Sequence, residues 1–175
     1  MRDQIDRASR SVETGLSVLL IVMMLAVVLQ VVASALDINP LRVFDAPWPL
    51  LGRALTLNSL LDLQWHLLVI VGLLPAGLVW LRDAHVRVDF LYHRYGPRLQ
   101  ARVDLIGTLL FALPFFALIL PASWAFMKRA WRSDEGSRNG GLEDLWLIKS
   151  VLPLGLALLA LYVVVEVARL ARDAR

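Results

Sequence analysis

The chain has no cysteine. Disulfides, thiol catalysis, iron–sulfur clusters and thiolate zinc sites are therefore excluded, and the compartment cannot be read from cysteine usage. Charge is nearly as scarce: 19% of residues are charged, 58% are hydrophobic and the mean hydropathy is +0.64. An ordinary soluble domain has about 25% charged residues. The charges are also missing from particular places. Thr14 to Leu36 and Leu105 to Met127 are each 23 residues without Asp, Glu, Lys or Arg, and Leu63 to Leu81 is 19 residues with one neutral histidine. Roughly 20 helical residues cross a hydrocarbon core about 30 Å thick, so these runs read as membrane spans.

A fourth run, Ser150 to Val165, has only 16 uncharged residues. Lys149 and Glu166 at its ends can lay their stems along the helix while their heads reach the interface, which extends this span to about 145–168. The expected fold is all-α: one membrane domain over residues 1–175, with four transmembrane helices at about 14–36, 63–81, 105–127 and 145–168. Prolines at 75, 114, 121 and 153 fall inside the runs, where neighbouring helices can satisfy the freed carbonyls. Ala33-Ser34-Ala35 is a small-residue pattern that signal peptidase accepts. The apolar run before it is longer than the usual stretch of about 7–15 residues, so a retained anchor is expected.

Lys and Arg set the orientation. Eleven lie on one side: Arg2, Arg7 and Arg10 in the N-terminal tail, Arg82, Arg87, Arg94, Arg98 and Arg102 in the middle loop, and Arg169, Arg172 and Arg175 at the C-terminus. Seven lie on the other: Arg42, Arg53, Lys128, Arg129, Arg132, Arg138 and Lys149. The positive-inside rule then places both termini and the middle loop in the cytoplasm. The middle-loop arginines read first as an anchor that resists translocation and pairs with anionic lipid heads. Nucleic-acid binding is set aside, because Asp83, Asp89 and Asp104 partly cancel this one short basic loop.

In loop one, Asp37 to Asp62, the residues Leu50, Ala54, Leu57 and Leu61 fall at helical spacing. A short helix on the membrane surface or an irregular loop is expected there, with Trp48 suited to the headgroup region. Gly96-Pro97 marks a break, after which a helix is expected to start at Pro97 and run to Lys128, longer than the hydrocarbon is thick. Loop three, "KRAWRSDEGSRNGGLEDLW", is polar and glycine-rich.

A transport site announces itself by ionisable residues in mid-membrane or by broken helices that offer backbone to an ion. Here the polar residues away from the span ends are small or neutral: Gln30 and Ser34 toward the outer end of the first, Thr108 toward the inner end of the third. Gln30 is expected to make one interhelical hydrogen bond. His66 lies at the opposite side of the membrane from His85 and His93, so His66 and either of the others cannot be axial ligands of one haem. Asp134-Glu135 and Glu143-Asp144 have no nucleophile or ligand set beside them and read as solvated loop charge, some of it paired with Arg132 and Arg138. No cofactor, metal or enzymatic activity is expected. The rival reading from another class is a small membrane anchor subunit of a redox complex.

Three segments carry a family resemblance: "DAHVRVDFLYHRYGPRLQARVDLIG" after span two, then "ALPFFALILPASWAF", then "EGSRNGGLEDLWLIKSVLPLGLALLALYVVVEVAR". Over about residues 64–169 the chain resembles the small, Q-type (DctQ-like) membrane subunit of tripartite ATP-independent periplasmic (TRAP) transporters. The features, in order, are His85-Val86-Arg87-Val88-Asp89, Glu135-Gly136-Ser137, Gly141-Leu142, Trp146, Lys149 and Pro153. The resemblance implies a multi-pass protein of the bacterial inner membrane. Its partners would be a large membrane subunit, which carries an organic acid with sodium, and a periplasmic substrate-binding protein that captures it. The small subunit would be the scaffold. It also makes His85, Arg87, Asp89, Glu135, Ser137, Trp146 and Lys149 candidate subunit contacts.

Overall fold

The computed structural model describes residues 2–81, 90 and 92–173. Helix α1 spans Arg2–Ala35, a two-stranded hairpin follows (β1 Arg42–Trp48, β2 Gly52–Leu55), and α2 and α3 occupy Leu57–Leu73 and Ala76–Leu81. A 3-10 turn at Tyr92–Arg94 leads into α4, Pro97–Gly107, which passes through a π turn, Thr108–Ala112, into α5, Leu113–Arg132. Helix α6, Trp146–Asp173, closes the chain. Three stretches are long and apolar enough to cross a membrane: Arg10–Ala35, Pro97–Arg132 and Trp146–Arg172. Helix α2 is apolar but shorter.

The chain breaks between α2 and α3 at Pro75, which has no N–H to give to the carbonyl of Val71. Leu74 keeps right-handed helical dihedrals, φ −63° and ψ −41°, and the Val79 N–H donates to the Pro75 carbonyl at 3.0 Å. The π turn has a related cause. Pro114 crowds the carbonyl of Leu110, and the helix widens by one residue just before it, with the Leu113 N–H reaching back to Thr108 O. The helix begins at Pro97, where the sequence places it, and runs on to Arg132.

Helix α6 is the hub, packing against α2, α3, α4 and α5. Phe116, Leu156 and Val163 form its buried core, with Trp80, Ile119, Leu120, Leu152 and Leu159 around them. Two crossings are very close. A Cβ on Gly77 would lie 2.3 Å from the Tyr162 ring, and one on Gly155 would lie 2.6 Å from Leu73 Cγ and 3.2 Å from its carbonyl oxygen.

Helix α1 packs against α2. From residue 10 onward its covered positions are Leu16, Leu19, Met23, Ala26, Gln30 and Ala33, alternately three and four residues apart. This is the seam of a left-handed helix pair, with buried alanines at 26 and 33 that admit close approach. Ile21, Met24, Leu25, Val28 and Val31 on the remaining circumference are exposed. Within the seam the Gln64 side-chain amide donates to Gln30 Oε1 at 2.6 Å, the interhelical bond expected of Gln30. Gln64→Leu is expected to lower stability by about 0.6–2 kcal/mol, read as thermal unfolding in detergent. The Gln30→Leu/Gln64→Leu double variant should recover most of the loss, because neither polar group is then left unpaired.

From Arg42 to Leu55 loop one is neither a surface helix nor irregular, and from Leu57 it is already helix α2. Antiparallel pairing sets Arg42 opposite Leu55 and Val43 opposite Ala54, with a bulge before Trp48 meets Gly52. Pro47, Pro49 and Gly52 oppose a helix here, and Leu50 takes a left-handed φ of 66° in the turn. The helix starts only where Thr56 caps it: its hydroxyl accepts from the Ser59 N–H, and Ser59 Oγ accepts from the Thr56 N–H, each at 3.1 Å.

Candidate functional site

Four of the seven candidate contact residues meet at the hairpin end of the bundle. Loop three leaves α5 through Asp134, left-handed at φ 47°. It is then held at Glu135, whose N–H donates to Ala130 O and whose carbonyl accepts from the Leu145 N–H at 2.9 Å. These bonds aim the Glu135 carboxylate at the first turns of α6. There Lys149 Nζ meets Glu135 Oε2 at 2.6 Å, with side chains 18% and 37% exposed respectively. The same ammonium lies 4.4 Å from the centroid of the Phe126 ring, so a carboxylate and an aromatic face share one cation. Trp146, at the start of α6, sets its ring edge-on to Trp131 on α5 at 4.3 Å. The Ser137 N–H donates to the Leu142 carbonyl, closing a tight bend around Gly140, left-handed at φ 67°. Glu135 thus pairs with Lys149, not with Arg132 or Arg138. His85, Arg87 and Asp89 lie outside the described residues.

Several residues that sequence reasoning left out hold this cluster to loop one and α2. The Asp62 carboxylate accepts from the Leu142 N–H at 3.0 Å, and it stands where any side chain on Gly141 would go, 1.9 Å from a Cβ placed there. Thr56 Oγ1 donates to Gly140 O at 2.8 Å, and the Asn58 amide donates to Asn139 O. At the hairpin turn the Glu143 N–H donates to Leu50 O at 2.8 Å, and the Leu50 N–H donates to Asp144 Oδ2. The available signal was the Gly140-Gly141 doublet, a pair that admits close approach, together with a lone carboxylate at the head of an apolar run.

Beside this seam an open recess of about 650 Å³ is lined by Trp48 and Arg53 of the hairpin and by Asp134, Glu143 and Asp144 of loop three. Among the described residues no three His, Asp or Glu side chains are grouped to hold a metal ion. His66 has its Nδ1 against the Asp62 carbonyl. The arrangement fastens two loops and three helices into one block. It presents aromatic and charged groups at its surface.

The family model described as tripartite ATP-independent periplasmic transporters, DctQ component, matches residues 48–173. No curated protein matches the chain. The matched region starts at the last residue of β1 and takes in α2 to α6 and the whole loop-three cluster, leaving α1 outside it.

Proposed function

Because this chain belongs to the DctQ component family of tripartite ATP-independent periplasmic transporters and is a small permease subunit of such a transporter, we propose that it scaffolds the large membrane subunit of a sodium-coupled organic-acid importer. The family is a transporter component, not an enzyme, and gives no support to a redox anchor. The observation that carries the scaffolding role is the use made of polar groups. The Gln30–Gln64 pair is joined across one helix seam, and Glu135, Ser137 and Asp62 bond within the chain. Broad apolar faces, with Ile21, Met24, Leu118 and Leu161 exposed, remain for lipid or a larger partner.

In this reading the chain sits in a bacterial inner membrane with both termini cytoplasmic. Helices α2 and α3 act as one crossing: Leu57 to Leu81 is 25 residues, or about 37 Å at helical rise, and Leu74 stays helical through the break. The hairpin and loop three then face the periplasm, where Glu135, Ser137 and Trp146 lie near the landing place of the substrate-binding protein. His85, Arg87 and Asp89 contact the large subunit at the cytoplasmic edge.

The test is copurification with the large subunit in mild detergent. Arg87→Glu is expected to lower recovery of the two-subunit complex several-fold, and undiminished recovery removes Arg87 from the contact. Sodium-driven uptake by the isolated small subunit in liposomes would contradict the scaffold reading altogether.

A further inference from the structure

We propose that Arg98 and Arg102 of α4, with Arg94 in the turn before it, form a binding face for the headgroup phosphates of anionic phospholipids. Arg98 and Arg102 stand four residues apart on one exposed helix face, a spacing at which like charges repel and destabilise the helix. Among the described residues none of the three arginines holds an ion pair. The one acid on α4, Asp104, accepts a hydrogen bond from the Tyr92 hydroxyl. A cationic ladder of this kind calls for an external anion. Leu99, Val103 and Ile106 beside it are 48%, 42% and 57% exposed, so the face is amphipathic, suiting a phosphate next to acyl chains better than a water-borne polyanion.

The depth of the arginines follows from one continuous helix. Arg102 and Trp124 are 22 residues apart, or about 33 Å, close to the thickness of the hydrocarbon. Arg98 and Lys128 are 30 apart, or about 45 Å, the full width including headgroups. Trp124 is 52% exposed and lies under the Lys128 ammonium at 5.8 Å, a pairing suited to one interface. With those two residues at one surface, the ladder falls in the phosphate layer of the other.

The inference rests on the membrane placement proposed above, and the experiment separates the two. The full chain is placed in vesicles of phosphatidylglycerol or phosphatidylcholine, extracted in detergent, and its retained lipid weighed by native mass spectrometry. Wild type should retain phosphatidylglycerol over phosphatidylcholine. R98Q/R102Q should bind phosphatidylglycerol about 25-fold more weakly, at about five-fold for each arginine. R98K/R102K should keep most of the binding, and R132Q/R138Q at the hairpin end should keep all of it. Equal retention of both lipids, or full retention by R98Q/R102Q, overturns this inference alone. So does loss of the large subunit by R98Q/R102Q with phosphatidylglycerol retention unchanged, since the face would then belong to a protein. Failure to insert in either lipid overturns both readings.

Discussion

Valine at position 77 is expected to lower the melting temperature of the detergent-solubilised chain by about 6–12 °C. The new Cβ would lie 2.3 and 2.5 Å from two carbons of the Tyr162 ring, distances no rotamer of valine relieves. Tyr162 is half-buried, and its ring covers Gly77 at the crossing of the two helices. Either the ring swings out of its contact or helices α3 and α6 separate, an overpacking cost of about 3 kcal/mol. In a chain of this length each kcal/mol is worth about 2–4 °C. Gly155→Val should behave alike, since the Leu73 carbonyl at 3.2 Å makes that crossing a contact with backbone. Tyr162→Ala in the Gly77→Val background should recover part of the loss. A melting curve unchanged by either valine would mean that the helices do not approach as described.

Lys149→Glu carries the second large effect. It removes the cation shared by Glu135 and the Phe126 ring and puts a second carboxylate beside the first, in a site where the Lys149 side chain is 18% exposed. A loss of about 2 kcal/mol is expected, between the value of an exposed pair and that of a broken buried one because Glu135 is 37% exposed, together with fraying of loop three from α6. The swap Glu135→Lys/Lys149→Glu restores opposite charges and should regain most of the stability, short of the contribution from Phe126. The swap also separates a strut from a docking group. If it is stable and supports wild-type uptake, the pair works inside the chain. If it is stable but uptake and binding-protein docking fail, the sign of the charge at Glu135 is read from outside.

Much of this was legible in the sequence because bilayer thickness fixes helix length. The charge-free stretch from Leu105 to Met127 and the break at Gly96-Pro97 mark α4 and α5 without reference to anything else in the chain. The narrow seam of α1 was hidden for the same reason that its helix was obvious: between Leu16 and Leu36 almost every residue is apolar, so hydropathy does not distinguish the covered stripe from the exposed face. In loop one the helical spacing of Leu50, Ala54, Leu57 and Leu61 held for Leu57 and Leu61, which lie in α2, and misled for Leu50 and Ala54. What decides that segment is partly local, the prolines and Gly52, and partly remote, the bonds from Leu50 to Glu143 and Asp144. The site divides along the same line. The family resemblance pointed to Glu135 and Trp146, whereas the acids of loop three by themselves read as solvated charge; that Lys149 is the partner of Glu135, and Asp62 that of Leu142, is set by packing between elements and not by spacing along the chain.

The stitching at the hairpin end also dictates an order of assembly. Leu50 and Asp144 are 94 residues apart in the chain, so a ribosome adding roughly 5–20 residues per second leaves the turn without its partner for about 5–20 s after making it. During that interval α1 and α2 must rely on their own coiled seam and its glutamine pair. The two halves of the molecule are fastened only once loop three has been made.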